Sequence, residues 1–342
     1  MKASSWLFAI ASITLSGACV AADAKGVVGT VTLKVENKVG PRQVASELWF
    51  RASDDAAVED FSPRAPLRAV TIARNAVPLA PTTKRPLIVI SHGNWGSRFS
   101  QGWLASELVR SGYVVLSTSH PGTVGDDRTA AGRLRLWDRS RDVSAALDEV
   151  LKTPRWAALI DPRRIGFVGH SFGGWTGVSL AGGRFDVKRQ RVACEKMQPK
   201  DFFCDGTLKD EVAAVPVNDA GDSFKDARLK AFYIMGSGPA AGFSAESLKT
   251  ISAPFVVDTA KFDEVLDPAM NSSALARQIP GAKEVLRPVG HFAYVPECRW
   301  LIGRALASQI CSDPAGVDRA QVHVQVARDV IEFFDKNLPA GE

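Results

Sequence analysis

Arg164-Ile165-Gly166-Phe167-Val168-Gly169-His170-Ser171-Phe172-Gly173-Gly174 joins a short apolar run to a run of small residues, and its reading decides the fold. The apolar half shows no polar alternation, the mark of a strand buried on both faces. The small-residue half opens a helix. Between them the pattern Gly-x-Ser-x-Gly sets Ser171 on a sharp turn, from which its hydroxyl projects at the sheet edge where ligands bind. Gly169 and Gly173 belong there because side chains would collide with the neighbouring strand and helix.

The same rhythm extends in both directions. Upstream, Leu87-Ile88-Val89-Ile90 is a continuous apolar strand ending at Ser91-His92-Gly93. A helix over Gln101–Arg110 follows, apolar at Leu104, Leu108 and Val109 and stopped by Gly112. Tyr113–Leu116 is the next strand, and Arg139–Lys152 the next helix, apolar at Val143, Ala146, Leu147 and Val150. Downstream, Leu229–Met235, Pro254–Val257 and Lys283–Arg287 read as strands, and Ala269–Gln278 and Val317–Asn337 as helices. Buried strands alternating with amphipathic helices make an α/β fold, a mostly parallel sheet covered on both faces by right-handed crossovers. Ahead of it, Val28–Val35 and Gln43–Phe50 with the turn Gly40-Pro41 form an N-terminal antiparallel hairpin at a sheet edge. Residues 52–85 read as a loop with one strand near Arg68–Arg74. Residues 183–227 break the rhythm and are expected to be an insertion over the carboxyl edge of the sheet, as a lid or pocket wall.

Composition sets outer bounds. The chain has 342 residues, 46% of them hydrophobic, with 42 Lys and Arg against 37 Asp and Glu. That suits one large globular domain, and without a long basic run it is no nucleic-acid signature. Lys2, the apolar stretch Trp6–Ala18 and the small residues Val20, Ala21 and Ala22 have the layout of a secretory signal peptide over 1–22, followed by a single domain over 23–342. Export to the periplasm or outside is the expectation, with no stable membrane anchor. Lipid attachment at Cys19 is the alternative, against which Ser16 stands where a large aliphatic residue belongs. Beyond the signal lie Cys194, Cys204, Cys298 and Cys311, an even number that fits disulfides in an oxidising compartment. Four cysteines allow three pairings; the local one, Cys194–Cys204 and Cys298–Cys311, closes the shortest loops. A zinc site is the rival, but no Cys-x-x-Cys spacing or nearby histidine supports it.

A serine on such a turn needs a base to take its proton and an acid to orient that base. Of five histidines, His92, His120 and His170 precede Ser171, and His323 lies in an amphipathic helix. His291, in Pro288-Val289-Gly290-His291-Phe292, follows the last strand and fits both chain order and placement. The acid lies between, at Asp258, Asp263 or Asp267. Asp258 belongs to a strand and Asp267 precedes Pro268 as a helix N-cap, which leaves Asp263 on a loop as the choice. Oxyanion donors are expected from the backbone N–H of Phe172 and of Asn94, the latter in His92-Gly93-Asn94-Trp95-Gly96. His92 itself reads as a brace for that loop. Trp95, Trp103, Trp175 and Phe172 fall near the site and could supply an apolar acyl pocket, although helix-face aromatics such as Trp103 are more often core.

Ser91-His92-Gly93-Asn94, Gly112-Tyr113-Val114-Val115 through His120-Pro121-Gly122, Gly169-His170-Ser171-Phe172-Gly173-Gly174 and Gly290-His291-Phe292-Ala293 with Cys298 close behind together carry a resemblance. The chain resembles the bacterial predicted dienelactone hydrolases, relatives of the platelet-activating-factor acetylhydrolase type of lipase, over residues 28–337. The resemblance implies the α/β-hydrolase fold and a secreted or periplasmic, cofactor-independent carboxylic-ester hydrolase with Ser171, Asp263 and His291 as its triad. The implied partner is a small-molecule ester. Two departures stand out: dienelactone hydrolases proper use a cysteine nucleophile, and the acetylhydrolases place their acid one strand earlier, near Met235–Ser237, where this chain has no carboxylate. A peptidase or amidase on the same triad, and a non-catalytic binding protein that retains the fold, are the alternatives.

Overall fold

The computed structural model describes residues 26–37, 42–62, 64–196, 203–204 and 215–340. The signal-peptide reading and the Gly40-Pro41 turn lie outside the described residues. Among the described residues twelve strands are formed: β1 (Val28–Asn37), β2 (Arg42–Arg51), β3 (Glu59–Phe61), β4 (Val70–Arg74), β5 (Arg85–Ser91), β6 (Val114–Thr118), β7 (Thr123–Val124), β8 (Asp127–Arg128), β9 (Ile160–His170), β10 (Leu229–Met235), β11 (Phe255–Ala260) and β12 (Lys283–Arg287). Ten of them make one sheet in the order β12-β11-β10-β9-β5-β6-β2-β1-β4-β3, and β7 and β8 form a separate ribbon.

The six strands from β12 to β6 are parallel. Their apolar runs lack alternation because both faces are covered. In β5, Leu87 and Val89 enter the core beneath the helices Trp137–Lys152 and Phe172–Ala181, while Ile88 and Ile90 enter the core beneath Gly102–Arg110 and Arg319–Asn337. Gly166 in β9 makes room for Phe334 of the last helix, whose ring a Cβ there would overlap. The crossovers return each chain end to the same carboxyl edge.

The N-terminal strands β1 and β2 pair antiparallel from Val28↔Arg51 to Asn37↔Arg42, and β2 joins the main sheet antiparallel to β6. The hairpin is not the outermost element, because β4 and β3 extend the sheet beyond it. Another local reading needs correction. The helix near Asp267 starts at Ser272, and Asp267 instead accepts the Ala269 N–H (2.8 Å) to close a turn over 267–271. Pro268 therefore opens a turn where a first helical turn was expected.

Of the 183–227 stretch, the helix Val187–Cys194 is capped by Asp186, which accepts from the N–H groups of Lys188 and Arg189. Cys194 and Cys204 are bonded at 2.07 Å, and Cys298 and Cys311 at 1.97 Å. Phe203, next to the first pair, is buried edge-on against Phe172, 6.1 Å between ring centres.

Candidate active site

The site is built from four loops at the carboxyl edge. β9 ends at His170, and the helix Phe172–Ala181 begins one residue later. Ser171 absorbs the reversal with φ +56° and ψ −119°, a conformation that a residue with a Cβ adopts only under strain. The turn is held because the Ser171 N–H donates to the Met235 carbonyl on β10, at 3.0 Å. A Cβ on Gly169 would overlap the Gly173 carbonyl, and one on Gly173 the Ser91 carbonyl. Both glycines are thus dictated by the close approach of the turn to β5 and to its own helix.

His291 opens a 3₁₀ turn, His291–Tyr294, after β12. Its Nδ1 lies 2.7 Å from Asp263 Oδ2. The other oxygen, Asp263 Oδ1, accepts from the backbone N–H groups of Val265 (2.9 Å) and Leu266 (2.8 Å). The carboxylate is thereby fixed with one oxygen committed to its own loop and one presented to the imidazole. Glu264, adjacent in sequence, accepts the His291 backbone N–H at 2.9 Å. No signal in the sequence separated this second acid from its neighbours. Asp258 is fully buried on β11 and accepts from Tyr233 Oη (3.0 Å), Tyr294 Oη (2.8 Å) and Arg287 Nη2 (2.7 Å). Through Tyr294 it anchors the turn that carries His291. Asp267 lies in the separate turn described above.

The loop after β5 faces Ser171. A Cβ added to Gly93 would stand 2.9 Å from the Ser171 Cβ, so the bare backbone is what lets this loop close on the serine. Trp95 sits in the left-handed region at φ +65°. His92 is buried; its Nδ1 lies 2.6 Å from the Gly93 carbonyl and its Nε2 accepts the His120 N–H at 3.1 Å. Those partners require the neutral ring with its proton on Nδ1. Burial first, then the charge of Arg139, holds His92 well below the ordinary histidine range. His170 is likewise pushed down by burial and by His291, whose carbonyl lies 3.1 Å from its Nε2.

Behind this loop lies a polar network that the sequence reading missed. Ser91 Oγ and His120 Nε2 are 2.9 Å apart, and His120 Nδ1 is 3.1 Å from Asp142 Oδ2. Asp142 also accepts from Asn37 Nδ2 and Arg42 Nη2, each at 2.9 Å. Arg139, fully buried, donates to the His92 carbonyl, to Thr123 Oγ1 (2.6 Å) and to Thr176 Oγ1 (3.1 Å). One guanidinium thus ties the loop after β5, the ribbon and the helix behind Ser171.

Ser171, His291, Gly93 and Asn94 line one cavity of about 80 Å³. Its other walls are largely apolar: Leu67, Trp95, Phe292, Val295, Pro296 and Ile310. None of the described residues of 183–227 lines it; the segment around Cys298–Cys311 does. Of the four aromatic residues singled out, Trp95 alone is in the wall. Trp103 stacks on His323 at 3.8 Å, Trp175 lies in the core with Phe185 and Phe243, and Phe172 packs on Phe203. Among the described residues no group of three His, Cys, Asp or Glu is placed to hold a metal ion, and no helix is long and apolar enough to cross a membrane.

A serine on a strained turn, an imidazole fixed by a carboxylate, and loop backbone facing the serine are the parts that acyl transfer requires. Comparison with known proteins gives the frame. No curated protein matches the chain. A ferulic acid esterase from Streptomyces cinnamoneus matches with TM-score 0.59 at 20% identity, over 91% of this chain and 90% of that one, which is a likeness of fold. The model of the alpha/beta hydrolase family matches residues 88–312, more than half of the sequence. On that match, and with the sheet order and strand-to-helix turn described, the chain belongs to the alpha/beta hydrolase family.

Proposed function

We propose that the protein is an exported serine esterase that cleaves carboxylic esters through an acyl-enzyme on Ser171. The reading is carried by the 2.7 Å pairing of His291 Nδ1 with Asp263 Oδ2 in the cavity that Ser171 also lines. Ser171 Oγ attacks the ester carbonyl while His291 Nε2 takes its proton, and Asp263 holds the imidazole in the tautomer that leaves Nε2 as the base. The oxyanion is stabilised by the backbone N–H groups of Phe172 and Asn94. His291 then protonates the leaving alcohol, and water activated by the same ring releases the acid. No step calls for a cofactor.

A compact, apolar-walled cavity beside Ser171 favours a short acyl group. Fold similarity to a ferulic acid esterase supports the ester class, and the resemblance to bacterial predicted dienelactone hydrolases points the same way. Two bonded cysteine pairs favour an oxidising compartment and hence export. Hydrolysis of p-nitrophenyl acetate and butyrate, beside the matching anilides, tests the reading. Ester turnover that a phosphonate probe abolishes by labelling Ser171 supports it. Preferential anilide cleavage, or folded protein that neither turns over nor takes label, overturns it.

A further inference from the structure

The cavity beside Ser171 borders a wider cleft of about 650 Å³, and the two share Arg64, Leu67, Trp95 and Ile310 as walls. Two arginines flank Trp95 there. Arg64 Nη2 donates to the Trp95 carbonyl at 3.0 Å, and the Arg128 guanidinium lies 4.7 Å over the Trp95 ring. Both side chains are exposed, and among the described residues neither forms a salt bridge. The contrast with a neighbour is clear, since Arg68 is paired to Glu297 at 3.3 Å. One carboxylate, Asp126, also lines the cleft, so two cations face one anion. The Arg64 charge reaches the site itself: after burial, Arg139 and His120, it helps keep the buried His92 ring uncharged.

An arginine that holds a backbone carbonyl with one nitrogen, or stacks by its face on an aromatic ring, keeps further N–H groups directed along its edge. Two such groups held by one tryptophan, Arg64 on its carbonyl and Arg128 on its ring, beside an apolar hollow, form a receptor for an anion tethered to an apolar group. We propose that the substrate is an ester whose alcohol part carries an anion, a carboxylate or a phosphate, bound between Arg64 and Arg128, with a short neutral acyl group seated beside Ser171. This rests on the esterase reading, and the inner hollow of about 80 Å³ beside the outer cleft of about 650 Å³ decides which part goes where.

Three acetyl esters differing only at the remote group test it: 4-acetoxybenzoate, 4-acetoxyphenyl phosphate and the neutral 4-acetoxybenzamide. At low ionic strength, kcat/KM for at least one anionic ester should exceed that for the amide by about tenfold, mainly through KM. The ratio should fall toward one in Arg128→Gln and in Arg64→Gln/Arg128→Gln, with unchanged circular dichroism, and the two anionic esters tell carboxylate from phosphate. Calorimetric binding of the same esters to Ser171→Ala reads the cleft without turnover, and should show the same order of affinity. Equal kcat/KM for all three esters, equal binding to Ser171→Ala, or a preference that persists in the double variant overturns the anion site. Absent turnover with selective binding retained would overturn the esterase reading and leave the anion site standing.

Discussion

At the residue scale two aspartates near the site differ in what they touch. Asp263 gives one oxygen to His291 and the other to its own loop; Asp258 spends both on two tyrosines and an arginine. Asp263→Asn should keep the fold and lower kcat by roughly 10³–10⁴-fold, because an amide favours the wrong tautomer of His291. Asp258→Asn leaves Arg287 partly unmatched in the core and should cost about 3 kcal/mol of stability in urea unfolding, with far less effect on kcat. If the two variants exchange these phenotypes, the acid has been misassigned. Gly173→Ala is the matching test of the turn. The added methyl meets the Ser91 carbonyl, so the variant should lose both activity and thermal stability.

At the scale of elements, the positions of the loops are set by groups far apart in sequence. Arg139 sits on the helix Trp137–Lys152, yet its donors reach the loop after β5, the ribbon and the helix behind Ser171. Arg139→Met should cost about 3 kcal/mol by leaving buried acceptors unmatched, and should slow phosphonate labelling of Ser171 in the protein that remains folded. The disulfide Cys298–Cys311 closes the segment that supplies Ile310 to the cavity wall, and begins two residues after Pro296 of the same wall. Cys298→Ser/Cys311→Ser should lose about 3 kcal/mol and raise KM more than it lowers kcat. Neither dependency is visible in the sequence. Strands β5, β6, β9, β10 and β11 were legible because short apolar runs between amphipathic helices mark strands covered on both faces, and His291 as the candidate base because chain order and strand end left one histidine. Arg139 and Asp142 on the inward face of a helix, and His120 on the loop after β6, were not, since a buried polar residue is marked only by what the fold packs against it. Asp267 failed for a local reason: Asp-Pro serves a turn as well as a helix start.

At the scale of the whole molecule, stability should follow the buried histidines. His92, His120 and His170 are held well below their ordinary range chiefly by burial, and His323 is pushed down to about 4 by burial and by Arg319. The folded protein thus binds fewer protons than the unfolded chain once the pH drops below about 6.5, and by linkage its stability falls there. Asp142, raised by burial, opposes the trend, while Asp219 and Asp226, lowered on balance by their arginine partners, add to the loss below about pH 4. Urea midpoints should be level from pH 7 to 8 and decline steadily from 6.5 to 4.5. A midpoint flat to pH 4.5 would mean that these histidines are not buried as described.

The most direct measurement is the second-order rate of p-nitrophenyl acetate hydrolysis by the oxidised protein, compared with Ser171→Ala and with phosphonate-treated wild type. The expected result is turnover in wild type, a loss of roughly 10⁴-fold or more in the variant, and a single phosphonate adduct on Ser171. Undiminished hydrolysis by Ser171→Ala, or an adduct on another residue, would contradict it.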